Sequence, residues 1–291
     1  MYIESESRAV IREYSKMIKD RSSKTQKIWL ISLLGFVVLL VGIALIPGLL
    51  DYNIFFSLFL TYGGMILVFL IGAVIFSFLT ISDKPAFNYL YGEIYDKINL
   101  EKGTYYDYTP FEKADFDFNK RGGLFNKHAR ISVKRHVKGT SPNDSLFEIF
   151  DTTLVTGGGK NKRVHLNGIY CIVKHSSSNL FQIRTNSKPR LEGVKFEQVE
   201  SEKEFKVFVE EGNEISNNEH KYIDTLIRLK RNLKAKKIYL GTTRDEIHFA
   251  YVPGTRIRKQ NNLSTKKLNV IYELFLDEIR YIDELKETSE F

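Results

Sequence analysis

A glycine-rich stretch that ends in lysine is the first place in this chain where chemistry could occur, because such stretches can hold phosphate groups. It reads Gly157-Gly158-Gly159-Lys160 and is followed by Asn161. A P-loop needs spaced glycines, then Lys and Ser or Thr, at the start of a helix whose amides bind the phosphates. Here Asn161 and a strand pattern follow the lysine, so the stretch predicts the flexible tip of a β-hairpin.

Histidine and cysteine could supply a metal site or a nucleophile. The 6 histidines are scattered singly, and none forms an i, i+4 pair or joins a second cysteine, so their spacing does not favour a metal site. Cys171 shares a predicted strand with His165 and His175, but side chains that far apart along a strand are separated by more than about 13 Å. We therefore expect a buried structural cysteine, and we predict no catalytic residue, no metal site and no cofactor.

An acidic cluster alternates with phenylalanines and is formed by Glu112, Asp115 and Asp117. Paired carboxylates can carry out acid–base catalysis. A solvated face beside an aromatic core is the more common structure for such a pattern, and it is the interpretation favoured here.

A basic run over residues 127–138 is typical of a solvated face as well. Its best functional interpretation is contact with anionic lipid headgroups, since each Lys or Arg close to an anionic bilayer contributes about 1 kcal/mol. The residues predicted to make this contact are Arg130, Lys134 and Arg135.

Two apolar segments precede these residues and would determine where they lie. Residues 28–46 would form a helix of roughly 28 Å, which matches the roughly 30 Å hydrocarbon core of a bilayer. Residues 54–81 would form a helix of roughly 42 Å, which must tilt. The connection 47–53 is just long enough for a turn, so the pattern predicts a transmembrane helical hairpin.

Flanking charge predicts the orientation of this hairpin. Seven basic residues precede the first segment, Lys84 follows the second, and the turn contains none. The positive-inside rule then places both termini in the cytoplasm, in a protein that spans the inner membrane twice.

Small residues along both apolar segments would let the two helices approach closely. Those expected to support helix packing are Gly35, Gly42, Gly64 and Gly72. Residues 61–64, Thr-Tyr-Gly-Gly, also resemble a potassium filter. A filter needs that backbone in a re-entrant loop, whereas here it lies inside a continuous apolar run, so helix packing is favoured.

The rest of the chain predicts an α+β fold. Residues 1–27 form a basic amphipathic segment, 28–81 the hairpin, 82–103 a connecting helix and 104–291 a cytoplasmic domain. Strand patterns dominate from 104 onward; in one of them, Ile131, Val133 and Val137 lie on one face. Two helices with apolar stripes follow near the end. Ser264 or Thr265 is expected to cap the last one, and its predicted core face consists of Leu268, Ile271, Phe275, Ile279 and Ile282. This order favours a mostly antiparallel β domain with flanking helices.

Composition narrows the possible partners. The net charge is +8 over 291 residues, but the chain has neither an RNA-binding aromatic motif nor a helix-turn-helix pattern, so no nucleic-acid partner is expected. The single cysteine excludes an internal disulfide and fits a reducing compartment.

Three short motifs follow the hairpin in order: Arg121-Gly-Gly-Leu-Phe-Asn126, Leu166-Asn-Gly-Ile-Tyr170 and Glu202-Lys-Glu-Phe-Lys-Val-Phe208. With the hairpin, they resemble the bacterial family known as domain of unknown function 3137. The resemblance implies a two-span membrane protein with a cytoplasmic α+β domain and no assigned catalytic residues. It also implies a LemA-type membrane protein as a partner.

The function predicted from these observations is binding. The chain is expected to be a membrane-anchored binding or scaffold module on the inner face of the cell membrane, with the lipid bilayer and anionic headgroups as partners. Two alternatives stay open: an enzyme acting on lipid or peptide substrates, and a small oligomeric channel or transporter subunit.

Overall fold

The fold comes from a computed structural model that describes residues 2, 4–49, 84–110, 117–141, 144, 146–175, 180–185, 188–201, 205–214, 217–254 and 263–289. The chain divides into two compact units. One comprises Met1–Ser7 and Leu90–Phe291, and the other comprises Arg8–Tyr89. We call them the larger and the smaller unit.

The smaller unit contains most of helix α1, which runs from Glu4 to Leu49. As the amphipathic pattern predicts, Val10 and Tyr14 are buried. The Tyr14 ring contacts the Phe87 ring edge to face, with centroids 6.2 Å apart. The helix continues through Pro47 and Gly48, so it extends into the predicted turn.

The membrane prediction is corrected by this helix. No helix in the described part of the chain is long and apolar enough to cross a bilayer. This finding contradicts the prediction of an inner-membrane protein with two spans and cytoplasmic termini. In the structure, residues 28–46 are not a separate helix but the second part of α1, which begins at Glu4. The second predicted span, 54–81, lies outside the described residues.

The larger unit is built on an antiparallel sheet, nine-stranded as far as the structure describes the chain, in the order β1-β2-β3-β4-β9-β8-β5-β7-β6. The predicted α+β domain with flanking helices is therefore confirmed. The strands are β1 (Tyr106–Pro110), β2 (Arg130–Thr140), β3 (Leu146–Thr156), β4 (Arg163–Lys174), β5 (Phe181–Arg184), β6 (Phe196–Ser201), β7 (Lys206–Glu210), β8 (Lys237–Thr242) and β9 (Glu246–Val252).

Helices cover both faces of this sheet. They are α2 (Lys84–Lys102), α3 (Phe118–Gly122), α4 (Asn217–Asn232) and α5 (Thr265–Ser289), with a 3-10 turn at Gly159–Asn161. Ser264 caps α5, since its hydroxyl accepts from the Lys267 amide at 3.4 Å. This cap and the helix after it agree with the prediction.

Each face of the sheet has its own core. On the first face, Phe118 of α3 stacks on Phe150 and contacts Tyr170, with ring centroids 4.5 and 4.6 Å apart. On the second face, Tyr95 of α2 stacks on Tyr108 at 5.7 Å. We call these the α3 face and the α2/α5 face.

A β-bulge in β2 determines which face each of its residues occupies. Val133 pairs with Thr152 and Arg135 pairs with Asp151, so Lys134 has no opposite residue. Because a bulge reverses the alternation beyond it, Val133 lies in the core of the α3 face, while Val137 lies on the α2/α5 face. The prediction that Ile131, Val133 and Val137 share one face is therefore wrong.

Candidate functional site

The three residues predicted to contact anionic lipid occupy different environments. Arg130 and Lys134 are exposed, but Arg135 is only 2% exposed. The bulge at Lys134 turns Arg135 inward. Arg135 is therefore not part of an exposed basic edge, and that part of the prediction is corrected.

Arg135 is instead paired inside the protein. Its Nη2 donates to both carboxylate oxygens of Glu278 on α5, at 3.0 and 2.7 Å, and its Nη1 donates to the Tyr95 hydroxyl at 2.7 Å. The guanidinium also lies 4.2 Å from the centre of the Phe275 ring. Burial raises the pKa of Glu278, and Arg135 opposes this shift. This is a structural ion pair between the sheet and α5.

Exposed cations gather at one end of the sheet, where β2 and β4 begin and β3 ends. Arg130 Nη2 donates to the Gly157 carbonyl at 3.0 Å, and Arg163 pairs with Thr156 across the β3–β4 ladder. We call this the basic end; its exposed cations are Arg130, Lys160, Lys162, Arg163 and Arg190. Within the described segments 127–130, 157–165 and 188–192, the acidic residue is Glu192, which bonds Lys127 at 2.9 Å.

The glycine-rich stretch is the connection within this basic end. Gly157 has φ +72°, and a Cβ there would lie 2.4 Å from the Asn161 carbonyl oxygen, so the turn requires glycine. The 3-10 turn Gly159–Asn161 then leads directly into β4. The predicted β-hairpin tip is confirmed.

The pKa of His165 depends on burial and on the positive charge at this end of the sheet. Its Nε2 lies 2.8 Å from the Thr156 hydroxyl. Burial lowers the pKa of His165, and so do the nearby guanidinium groups of Arg190 and Arg163. Positive charge therefore dominates around these side chains.

A second polar arrangement lies on the α3 face and was not selected from the sequence. The Tyr170 hydroxyl lies 3.1 Å from Nδ1 of His248, and Nε2 of His248 lies 3.1 Å from Glu246, although not in hydrogen-bond alignment. Glu246 also accepts from Lys174 at 2.6 Å and from Arg121. We call these five residues the Glu246 network.

Two of the sequence motifs meet at this network. A Cβ on Gly122 would lie 2.5 Å from the His248 ring and from the Tyr170 hydroxyl. The segment 121–126 therefore packs directly on the segment 166–170. The signal that could have revealed the partner strand is the Glu246-x-His248 spacing, because residues two apart on a strand share a face.

The Glu246 network is mostly buried. Tyr170 and His248 have no exposed surface, so neither can touch a substrate in this structure. Burial lowers the pKa of His248. For Glu246, burial raises the pKa, but His248, Lys174 and Arg121 bring it down to about 2. The arrangement holds an ionised carboxylate beside a neutral imidazole, with Arg121 and Lys174 reaching the surface.

The cysteine and the acidic cluster, which were the other candidates for chemistry, do not form a reactive site in the described part of the chain. Cys171 is buried, and burial raises the pKa of its thiol. Asp117 forms an ion pair with Arg121 at 3.1 Å, while Glu112 and Asp115 lie outside the described residues. Among the residues that the structure describes, no group of three His, Cys, Asp or Glu side chains could hold a metal ion.

The glycines predicted to support helix packing lie either on α1 or outside the described residues. Gly35 lies on α1, and a Cβ added there would meet nothing within 4 Å. Gly42 also lies on α1, and its surroundings are outside the description. Gly64 and Gly72 fall in a part of the chain that the structure does not describe.

Comparisons with known proteins give little further information. No protein-family model matches the sequence, and no curated protein matches it. Among solved structures, the mycobacterial trehalose monomycolate transport factor A, TtfA, is similar over 68% of this chain and 94% of its own, with 10% identity and a TM-score of 0.40. At these values the likeness establishes neither a shared fold nor a shared function. The resemblance to domain of unknown function 3137, and a LemA-type partner with it, stay predictions.

Proposed function

We propose that this protein is a binding module that recognises clustered anionic groups, such as the phosphates of anionic lipid headgroups, through the basic end of its sheet. The observation that carries the proposal is the convergence of five exposed cations from three separate segments. Nearby acidic charge is small, since Glu192 is already bonded to Lys127.

The local structure holds these cations in place, which supports binding to an anionic surface. Arg130 is tied to the Gly157 carbonyl, and Arg163 is fixed by the β3–β4 ladder, so these cations project from ordered backbone. Each cation near an anionic bilayer contributes about 1 kcal/mol. The attraction acts within a Debye length of about 8 Å at physiological salt, so it needs the cations close together.

The same surface is less suited to single-stranded nucleic acid. Proteins that bind single strands stack bases on exposed aromatic rings, each worth about 1–3 kcal/mol. The segments that form the basic end contribute glycines, lysines and arginines but no aromatic residue at 157–165 or 188–192. Phosphate recognition is therefore the better match.

Vesicle co-sedimentation with the full chain tests this proposal. The protein should bind vesicles containing phosphatidylglycerol, dissociate as salt rises, and ignore phosphatidylcholine vesicles. A variant combining Lys160→Gln, Lys162→Gln and Arg163→Gln should bind more than about tenfold more weakly, because three cations are lost.

A matched control changes the same charge elsewhere. Lys102→Gln, Lys195→Gln and Arg244→Gln remove three exposed cations at the opposite end of the sheet, where β1, β6 and β9 begin. This control should bind like the wild type. Equal weakening of both variants, or no lipid-charge dependence at low salt, would show that the basic end has no specific role.

A further inference from the structure

An open groove lies at the opposite end of the sheet from the basic end. It occupies about 460 Å³ and is formed where β1 and β3 begin and β2 and β4 end. This volume falls within the roughly 300–1,000 Å³ of small-molecule sites. The residues that matter for the argument are Tyr105, Lys138, Leu146, Phe147, Ile172 and Lys174.

The lining of the groove is mainly apolar, and Leu146 and Tyr105 are its accessible apolar side chains, while Ile172 is only 2% exposed. Leu146 is 57% exposed and Tyr105 is 79% exposed. Glu148 pairs with Ile172 across the β3–β4 ladder, and residues two apart on a strand share a face, so Leu146 and Ile172 lie on the same side of the sheet. Covering this surface with an alkyl chain would remove apolar area from water, which is favourable.

Lys138 at the rim can turn to a bound anion at little cost. Lys138 lies 3.6 Å from Asp107 in a pair whose members are 56% and 44% exposed. Such exposed pairs contribute about 0–1 kcal/mol. The Lys138 ammonium can therefore leave Asp107 for a bound anion with little loss of stability.

Lys174 can leave its present partner without isolating a buried charge. Its ammonium lies 2.6 Å from Glu246 and is 54% exposed. If it turned to a ligand, Glu246 would keep Arg121 and His248 beside it. The other groove carboxylate, Glu148, is bonded to His136 at 2.9 Å.

We infer that this groove is a binding site for an amphiphile with one alkyl chain and one anionic head, with the chain on Tyr105 and Leu146 and the head between Lys138 and Lys174. The site is separate from the basic end, so the inference does not rest on the proposed function.

Fluorescence titration of the full chain with a dansyl-labelled undecanoic acid tests the inference, with unlabelled laurate as competitor below its micelle concentration. Leu146→Glu should weaken binding more than about tenfold, because it places a charge against the alkyl chain. Val164→Glu is the matched control: Val164 is 50% exposed on β4, at the other end of the sheet, and its variant should bind normally.

The head group is tested by pairing laurate with the neutral dodecanol. Lys138→Gln together with Lys174→Gln should weaken competition by laurate and leave competition by dodecanol unchanged. Equal binding by wild type and Leu146→Glu, or equal loss in Val164→Glu, would overturn the inference. So would sedimentation showing that Leu146→Glu abolishes a dimer, because a second copy would then occupy the groove.

Discussion

Arg135 and Glu278 join the sheet to the C-terminal helix: Nη2 of Arg135 lies 2.7 and 3.0 Å from the two carboxylate oxygens of Glu278. The two residues are 143 positions apart in the chain. Tyr251 also donates its hydroxyl to Glu278 at 3.3 Å. Burying two charges is costly, but removing one of them leaves the other without compensation.

The first prediction concerns this pair. Arg135→Met should lower the free energy of unfolding by about 3–5 kcal/mol, because Glu278 would stay buried without its cation. Urea denaturation followed by circular dichroism measures the loss. The double variant Arg135→Met, Glu278→Leu should recover much of it. If the double variant is as unstable as the sum of the single variants, the two residues do not act as a pair.

Residues with regular spacing could be placed from the sequence. The predicted core stripe of the last helix includes Leu268, Phe275 and Ile282, and all three are buried in α5. Helical periodicity depends on neighbours three and four positions away, so it is visible in a single sequence. The antiparallel character of the domain followed from the same kind of local pattern.

The candidate sites depend on a β-bulge and on contacts between distant parts of the chain, which the periodicity of apolar residues does not reveal. A single bulge at Lys134 moved Arg135 from a predicted lipid-contact surface into an ion pair. The Glu246 network combines residues of strands β4 and β9 with a residue of helix α3. The spacing of residues along the sequence does not reveal that these three elements lie together. Similarly, the basic end joins segments that lie far apart in sequence, although each segment is visibly basic.

A second prediction uses two glycines as a matched pair. Gly122→Ala should destabilise the protein by about 1–3 kcal/mol, because the new methyl group would overlap His248 and Tyr170. Gly92→Ala adds the same group where nothing lies within 4 Å, in the interior of α2. It should instead stabilise by about 0.5–1 kcal/mol. Thermal and urea unfolding compare the two; a harmless Gly122→Ala would contradict the close packing.

A third prediction concerns acid stability. Because His248, Lys174 and Arg121 lower the pKa of Glu246 from 4.5 to about 2, despite burial, the folded state holds the ionised carboxylate. Its stabilising contribution is complete above pH 4.5 and is lost as pH falls toward 2. Glu246→Gln should therefore be less stable at neutral pH, and its stability should fall less between pH 4.5 and 2. Parallel pH profiles of wild type and variant would contradict this.

The last prediction concerns Cys171, the one cysteine of the chain. The residue is 2% exposed, and burial raises the pKa of its thiol, so very little reactive thiolate should form in the folded protein. Iodoacetamide should therefore modify Cys171 only as fast as the protein unfolds, and urea should accelerate the reaction to that of a free thiol. Mass spectrometry over time measures the rate.

The control for this measurement is Leu100→Cys in a Cys171→Ala background, because Leu100 is 84% exposed. That thiol should react at the rate of a small-molecule thiol without denaturant. Cys171→Ser should also lower the free energy of unfolding by about 1–3 kcal/mol, since a hydroxyl would be buried where the structure now buries a thiol. Fast alkylation of native Cys171 would show that the thiol is accessible and would revive a nucleophilic role for it.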